Sequence, residues 1–265
     1  MAHSQTFLYT KSTVLVLRIG GRMKLLLINP NTSSAMTSAI GQAARAVAGI
    51  GTEVVTAQPT FGPASIECHY DEAFAAAGVA EQVRLALAWQ PDAVVIACFG
   101  DPGLDAAREA TSAPVIGVAE AAFHAATLLA TSFSVVTTLS RTCITAERLL
   151  QRYGFDRHCR GVHGTDIPVL DLEHAGEACI SRIEQAARDA LARDRSGAIV
   201  LGCAGMAPLC AELSQRLGVP VIDGVSVAVK LAESLVALKL RTSQVGDYAP
   251  PPPKPYAGWA RDLGW

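Results

Sequence analysis

The sequence has little charge and no long hydrophobic run. Only 17% of its 265 residues are charged, and the formal net charge is −2. Without a long run of lysine and arginine, nucleic-acid binding by phosphate neutralisation has little support. The longest apolar runs, such as residues 93–99, fall far short of the roughly 20 residues that a membrane helix needs. We therefore expect a globular protein that binds neither nucleic acid nor a membrane.

Several signature motifs are also missing from the sequence. It contains no CxxC pair, no HExxH, no cysteine–histidine cluster with zinc-finger spacing, no GxGxxG, no P-loop and no GxSxG. Zinc-finger, dinucleotide, nucleotide and serine-hydrolase sites therefore lack sequence support. The seven cysteines are odd in number and irregular in spacing, which indicates reduced thiols rather than a disulfide framework. This pattern predicts a cytoplasmic protein.

The two ends of the chain differ from its middle. Residues 1–22 are interpreted as a poorly ordered N-terminal extension, with Met23 as a second possible start, because their apolar patch is too short for a secretory signal. Residues 241–265 form a proline-rich tail that cannot pack as a core element. The tail carries three aromatic residues, Tyr256, Trp259 and Trp265. We expect these aromatic residues either to dock on a neighbouring subunit or to stay mobile.

From Met23 onward, short apolar runs alternate with alanine-rich helical segments. This alternation is typical of α/β proteins with parallel sheets that are covered by helices on both faces. One predicted helix spans residues 102–111, with Asp101 as its N-cap and Pro102 at its first position. The fold class is therefore α/β.

An internal repeat divides this pattern into two halves. Residues 94–100 resemble residues 199–205, which places Cys98 and Cys203 at equivalent positions 105 residues apart. Two further strand-like segments recur in the same order: residues 26–29 match 134–137, and residues 114–117 match 220–223. We expect two pseudo-symmetric lobes, each with a small parallel sheet. The first lobe takes residues 23–118 with 226–240, and the second takes residues 119–225.

Each lobe brings a polar turn and a cysteine to the end of a buried strand. Asn31 follows the first strand of one lobe, and Thr137 and Thr138 end the matching strand of the other. Ligands of parallel sheets bind beyond the carboxyl ends of the strands. If the lobes face each other, Cys98 and Cys203 lie on opposite walls of one cleft. A single cysteine after a buried strand is usually a core residue, but the matched pair favours catalysis.

Two facing thiols can racemise a carbon acid. One thiolate removes a proton from one face, and the other thiol delivers a proton to the opposite face. An ordinary thiol pKa is about 8.5, and a helix N-terminus near each cysteine is expected to lower it. Backbone N–H groups near the glycines of these turns are expected to stabilise an enolate oxygen.

Five segments, residues 28–33, 63–67, 96–104, 133–138 and 200–206, carry a family resemblance. With them the chain resembles the aspartate/glutamate racemase superfamily over residues 23–248, and within it the hydantoin racemase and allantoin racemase group. The resemblance implies a racemase of 5-substituted hydantoins, such as allantoin or amino-acid-derived hydantoins. It also implies no metal, no pyridoxal phosphate and no nucleotide cofactor. A small-molecule hydantoin substrate and a homo-oligomer are the expected partners.

The resemblance also assigns residues to roles. Cys98 and Cys203 become the catalytic pair. The predicted substrate-binding residues are Asn31, Ser65, Phe99, Gly100, Thr137, Thr138, Ala204 and Gly205. Three apolar residues are expected either to line the substrate pocket or to pack in the hydrophobic core: Ile66, Phe99 and Met206. The five other cysteines are interpreted as structural, except that Cys68 is left open because it lies in a polar loop.

Two other functions stay open at this point. One is a decarboxylase of the same fold that uses a single cysteine, as arylmalonate decarboxylase does; the presence of both cysteines disfavours it. The other is a non-catalytic protein that binds a small molecule in the cleft. Glu67 and His69 lie in the same loop as Cys68 and are interpreted as solvated residues that could contact a ligand.

Overall fold

The computed structural model describes residues 22–264, so Trp265 and nearly all of the predicted N-terminal extension lie outside the described residues. Eight strands form two sheets. They are β1 (Met23–Ile28), β2 (Thr52–Ala57), β3 (Ala93–Ile96), β4 (Val115–Gly117), β5 (Phe133–Thr137), β6 (Cys159–Gly164), β7 (Ile199–Leu201) and β8 (Val221–Asp223). Both sheets are parallel throughout, which confirms the α/β class.

The two sheets have the same topology. Their strand orders are β2-β1-β3-β4 and β6-β5-β7-β8, so each strand of the first sheet has a counterpart at the same place in the second. Strands β3 and β7, one central strand of each sheet, are fully buried on both faces, as expected for a parallel sheet between helices. The internal repeat found in the sequence is therefore a repeat of structure.

Within residues 22–264, eight α-helices connect and cover the strands. They are α1 (Ser34–Val47), α2 (His69–Ala86), α3 (Leu104–Ala110), α4 (Val118–Leu129), α5 (Cys143–Tyr153), α6 (Glu177–Asp194), α7 (Cys210–Leu217) and α8 (Gly224–Ala237). Helix α1 shows why these segments fold. The Ser33 hydroxyl caps it by accepting from the Met36 N–H, and Met36, Ile40 and Ala44 form one buried stripe.

Helices α4 and α8 pack against each other and join the two halves. They are repeat equivalents, since α4 follows β4 directly and α8 follows β8 directly. Asp223 caps α8 by accepting from the Ser226 N–H at 2.8 Å. Small buried residues, among them Ala121 and Ala228, face the contact and let the helices approach. The contact between α4 and α8 thereby holds the two sheets together.

The prediction that Asp101 caps a helix beginning at Pro102 was wrong. Helix α3 begins at Leu104, and Gly103 precedes it with a φ of 71°. Asp101 itself has a φ of 43°, so the chain turns through left-handed conformations here and Pro102 lies outside the helix.

Asp101 caps a different helix. Its two carboxylate oxygens accept from the N–H groups of Ala119 (3.1 Å) and Glu120 (3.0 Å), in the first turn of α4. Gly117 lies so close to this carboxylate that a side chain there would collide with it. The turn after Cys98 is therefore tied to the helix that joins the halves.

The tail returns to the body of the same chain. The ring of Trp259 lies 5.0 Å from the ring of Phe61, centroid to centroid, while 67% of Trp259 stays exposed. This intramolecular contact is an arrangement that the sequence analysis did not anticipate. Across residues 22–264, no helix combines the length and the apolar character that crossing a membrane requires.

Candidate active site

A small cavity of about 60 Å³, partly open to solvent, lies at the carboxyl ends of both sheets. It brings together nine of the ten predicted site residues: Asn31, Cys98, Phe99, Gly100, Thr137, Thr138, Cys203, Ala204 and Gly205. Ser65 is half-buried in the neighbouring loop and does not line the cavity. Ile66 lines it, whereas Met206 is fully buried in the core.

The cavity also holds polar residues that the sequence analysis missed or left open. They are Asn29, Cys68, Glu72, Thr142 and Thr145. Thr142 and Thr145 belong to the turn and first residues of α5, and Cys68 precedes α2. Only Asn29 had a usable signal, because it ends a predicted strand. The others reach the cavity through tertiary packing, which local sequence does not encode.

A network of amides shapes the turn after β1. The Asn29 side-chain N–H₂ donates to Asn31 Oδ1 at 2.7 Å and to Thr37 Oγ1 at 2.9 Å. Asn31 Oδ1 also accepts from the Ser33 N–H at 2.9 Å. Among the described residues, the Asn31 amide nitrogen donates only to the Met36 thioether, a weak acceptor. Asn31 therefore presents an N–H donor at the wall of the cavity.

Thr137 connects the ends of β5 and β7. Its hydroxyl donates to the Gly202 carbonyl at 2.8 Å, one residue before Cys203. A Cβ atom on Gly202 would lie 2.6 Å from the Thr137 Cβ, so only glycine fits there. This contact fixes the backbone that positions the Cys203 thiol.

Cys98 is half-buried and lines the cavity. Burial raises the pKa of its thiol to about 12, while the Gly100 N–H lowers it by hydrogen bonding to the sulfur. The Cys203 thiol and the carboxylates of Asp101 and Glu72 also raise the Cys98 pKa. Cys203 lines the same cavity as Cys98.

Cys203, which follows β7, has a similar environment. Burial raises the pKa of its thiol to about 11, and the N–H groups of Gly205 and Met206 oppose the shift. Glu67 raises it further by its negative charge. In both turns, backbone N–H groups are therefore directed at a sulfur atom, and they stabilise its thiolate form.

The expectation of lowered thiol pKa values was wrong. The cost of removing a thiolate from water outweighs the backbone donors at both positions. Helix α3 begins six residues after Cys98, later than the sequence indicated. The thiolate is therefore scarce at neutral pH, and it is a strong base when it forms.

Comparisons with known proteins show the family to which this chain belongs. The family model described as Asp/Glu/hydantoin racemase matches residues 25–232. A hydantoin racemase of Pseudomonas sp. (strain NS671) is 45% identical over 242 residues, which cover 91% of this chain and 97% of that protein. A hydantoin racemase of Rhizobium meliloti is also 45% identical, over 89% of this chain and 98% of that protein.

A solved structure shows the same architecture. An allantoin racemase from Klebsiella pneumoniae is 55% identical to this chain, with a TM-score of 0.89, and the match covers 91% of this chain and 99% of that one. Both the fold and the sequence are therefore shared over almost the full length of these relatives. The chain belongs to the Asp/Glu/hydantoin racemase family and is an isomerase, a racemase.

Proposed function

We propose that the protein racemises 5-substituted hydantoins with Cys98 and Cys203 as its two acid–base groups. The observation that supports this most strongly is that the repeat-equivalent cysteines of the two halves line one cavity. A base and an acid on opposite walls are what inversion at a carbon requires. The names of the relatives, hydantoin racemase and allantoin racemase, support the choice of substrate class.

In the proposed reaction, one thiolate takes the C5 proton, so the C5–H bond breaks and an S–H bond forms. The electron pair moves into the ring and leaves negative charge on the C4 oxygen. The thiol on the other wall then gives its proton to the opposite face of C5 and becomes the thiolate. The roles reverse for the other enantiomer.

The ring chemistry makes this task feasible for thiols. The C5 proton lies next to a carbonyl group, and the enolate that forms is delocalised over the ring. Asn31 offers an N–H donor to a ring oxygen, and Thr137 and Thr138 complete the polar wall. Because the proton acidity resides in the substrate, we propose that no metal or organic cofactor takes part.

Solvent deuterium exchange tests the proposal. Enantiopure allantoin, 5-benzylhydantoin and 5-isopropylhydantoin are incubated in deuterated buffer with and without enzyme. We expect enzyme-dependent loss of optical rotation together with deuterium at C5 for at least one substrate. Release of carbon dioxide from an arylmalonate without racemisation would instead favour the single-cysteine decarboxylase. Tight binding without exchange would favour the non-catalytic binding protein.

The raised thiol pKa values predict how the rate depends on pH. Since both thiol pKa values lie at about 11 or above, a rise in pH increases the fraction of enzyme with one thiolate. We expect kcat/KM to increase by up to about tenfold per pH unit between about pH 6 and pH 9. Initial rates by polarimetry, with unfolding monitored at each pH, check this. A flat or falling profile in that range contradicts the assigned ionisation.

A further inference from the structure

Glu72 is the one carboxylate among the described residues that line the cavity. It lies in the first turn of α2, and its side chain is 26% exposed. Its Oε1 atom lies 3.2 Å from the position that a Cβ atom would take on Gly100. Gly100 is two residues after Cys98, and the negative charge of Glu72 raises the Cys98 pKa. The carboxylate is therefore next to the loop that carries the thiol.

Two neighbouring side chains fix the orientation of this carboxylate. His69 Nδ1 lies 2.9 Å from Glu72 Oε2, and His69 Nε2 lies 3.3 Å from an Arg148 guanidinium nitrogen. A guanidinium group can only donate, so Nε2 accepts and the Nδ1–H donates to Glu72. The histidine thus holds Oε2, and Oε1 is the oxygen beside Gly100 at the cavity wall.

The substrate offers a matching group. In every 5-substituted hydantoin, C5 is bonded within the ring to the C4 carbonyl and to N1, which carries a hydrogen. A thiol that acts on C5 is therefore close to both neighbours of C5. The C4 oxygen needs donors, whereas the N1–H needs an acceptor. An ionised carboxylate is purely an acceptor, and its hydrogen bonds are among the stronger ones.

We infer that Glu72 is a substrate-binding residue whose Oε1 accepts the N1–H of the hydantoin ring. The inference rests on the proposed function and narrows its substrate class to cyclic ureides with an unsubstituted N1. Glu72 then sets the rotation of the ring, so that the C5–H bond is directed at one thiol. His69 and Arg148 act through Glu72 and are positioning residues.

A cycle of substrate and protein changes tests this contact. We expect the wild-type enzyme to prefer 5-isopropylhydantoin over its 1-methyl derivative by about 100-fold in kcat/KM. In Glu72→Ala, which removes the acceptor and makes room for the methyl group, the preference should fall below about tenfold. The ratio cancels any effect of the Glu72 charge on the Cys98 pKa, since that effect is common to both substrates.

Two controls make the result specific. Glu81→Ala changes a glutamate of the same helix that does not line the cavity, and it should keep the wild-type preference. A 3-methyl derivative should be discriminated equally by the wild type and by Glu72→Ala. Glu72→Gln, which keeps the side-chain size, should lower kcat/KM for the parent substrate by about 10-fold or more and should also move the pH–rate profile to lower pH.

The inference would be overturned if Glu72→Ala kept the wild-type preference for the parent substrate over its 1-methyl derivative. It would also be overturned if Glu72→Ala lost the discrimination against the 3-methyl derivative instead. The outcome is separable from failure of the proposed function. If the proposed function is wrong, the wild-type enzyme will exchange C5 hydrogen in no hydantoin at all. If Glu72→Ala folds poorly by circular dichroism, Glu72→Gln decides: a smaller preference for the parent substrate over its 1-methyl derivative than in the wild type supports the inference, and an unchanged preference overturns it.

Discussion

Replacing either Cys98 or Cys203 with serine is expected to lower hydantoin racemisation by about 100- to 10,000-fold, the range for losing one acid–base group. Serine keeps nearly the size of cysteine, but its hydroxyl is far less acidic than a thiol and rarely forms the anion at neutral pH. Polarimetry on an enantiopure substrate measures the loss. Both variants should lose racemisation activity, because inversion requires that one proton is removed from one face of the carbon and a second proton is delivered to the opposite face.

The control for this pair is Cys179→Ser. Cys179 lies in α6, is half-buried and does not line the cavity, so the same chemical change there should leave the rate within about twofold of wild type. Circular dichroism and thermal unfolding of all three variants establish that the fold is retained. Full activity in either Cys98→Ser or Cys203→Ser would refute the two-thiol mechanism.

Gly224→Ala is expected to lower the free energy of unfolding by about 3 kcal/mol, at the upper end of the usual cost of overpacking. A Cβ atom on Gly224 would lie 2.1 Å from the Val118 carbonyl oxygen, where α8 begins against the start of α4. Backbone cannot yield as a flexible side chain does, so the two helices must separate. Chemical denaturation of the variant and the wild type measures the difference.

The separation of α4 and α8 should also change the shape of the cavity, because these helices join the two halves that carry the thiols.

Gly176→Ala is the matched control for Gly224→Ala. Gly176 precedes α6 with an ordinary backbone conformation and open space around its Cβ position, so this change should cost less than about 0.5 kcal/mol. Equal stability of the two variants would contradict the close contact at Gly224.

The sequence was informative wherever local pattern decides structure. Apolar runs located the strands, and the matched segments around Cys98 and Cys203 predicted two similar sheets with a cleft between them. Parallel strands bring their carboxyl ends to one edge, so residues that end or follow strands, such as Thr137 and Asn31, could be assigned to the site.

Features that depend on packing could not be predicted in this way. Asp101 looked like the cap of the next helix, but its left-handed backbone directs it to α4, a partner fixed by tertiary contacts. Glu72 reaches the cavity only because the first turn of α2 packs beside Gly100. The thiol pKa values depend on how deeply each thiol is buried. The sequence places each cysteine after a strand, but it does not show the depth of burial.

The most direct test of the account is which enantiomer each single-cysteine variant can deprotonate. Cys98→Ser and Cys203→Ser are incubated separately with each pure enantiomer of one 5-substituted hydantoin in deuterated buffer, and C5 deuterium is measured by mass spectrometry after chiral separation. Slow exchange without inversion is predicted, in one enantiomer for Cys98→Ser and in the opposite enantiomer for Cys203→Ser. Exchange of the same enantiomer by both variants would show that the two sulfurs do not act on opposite faces of the carbon.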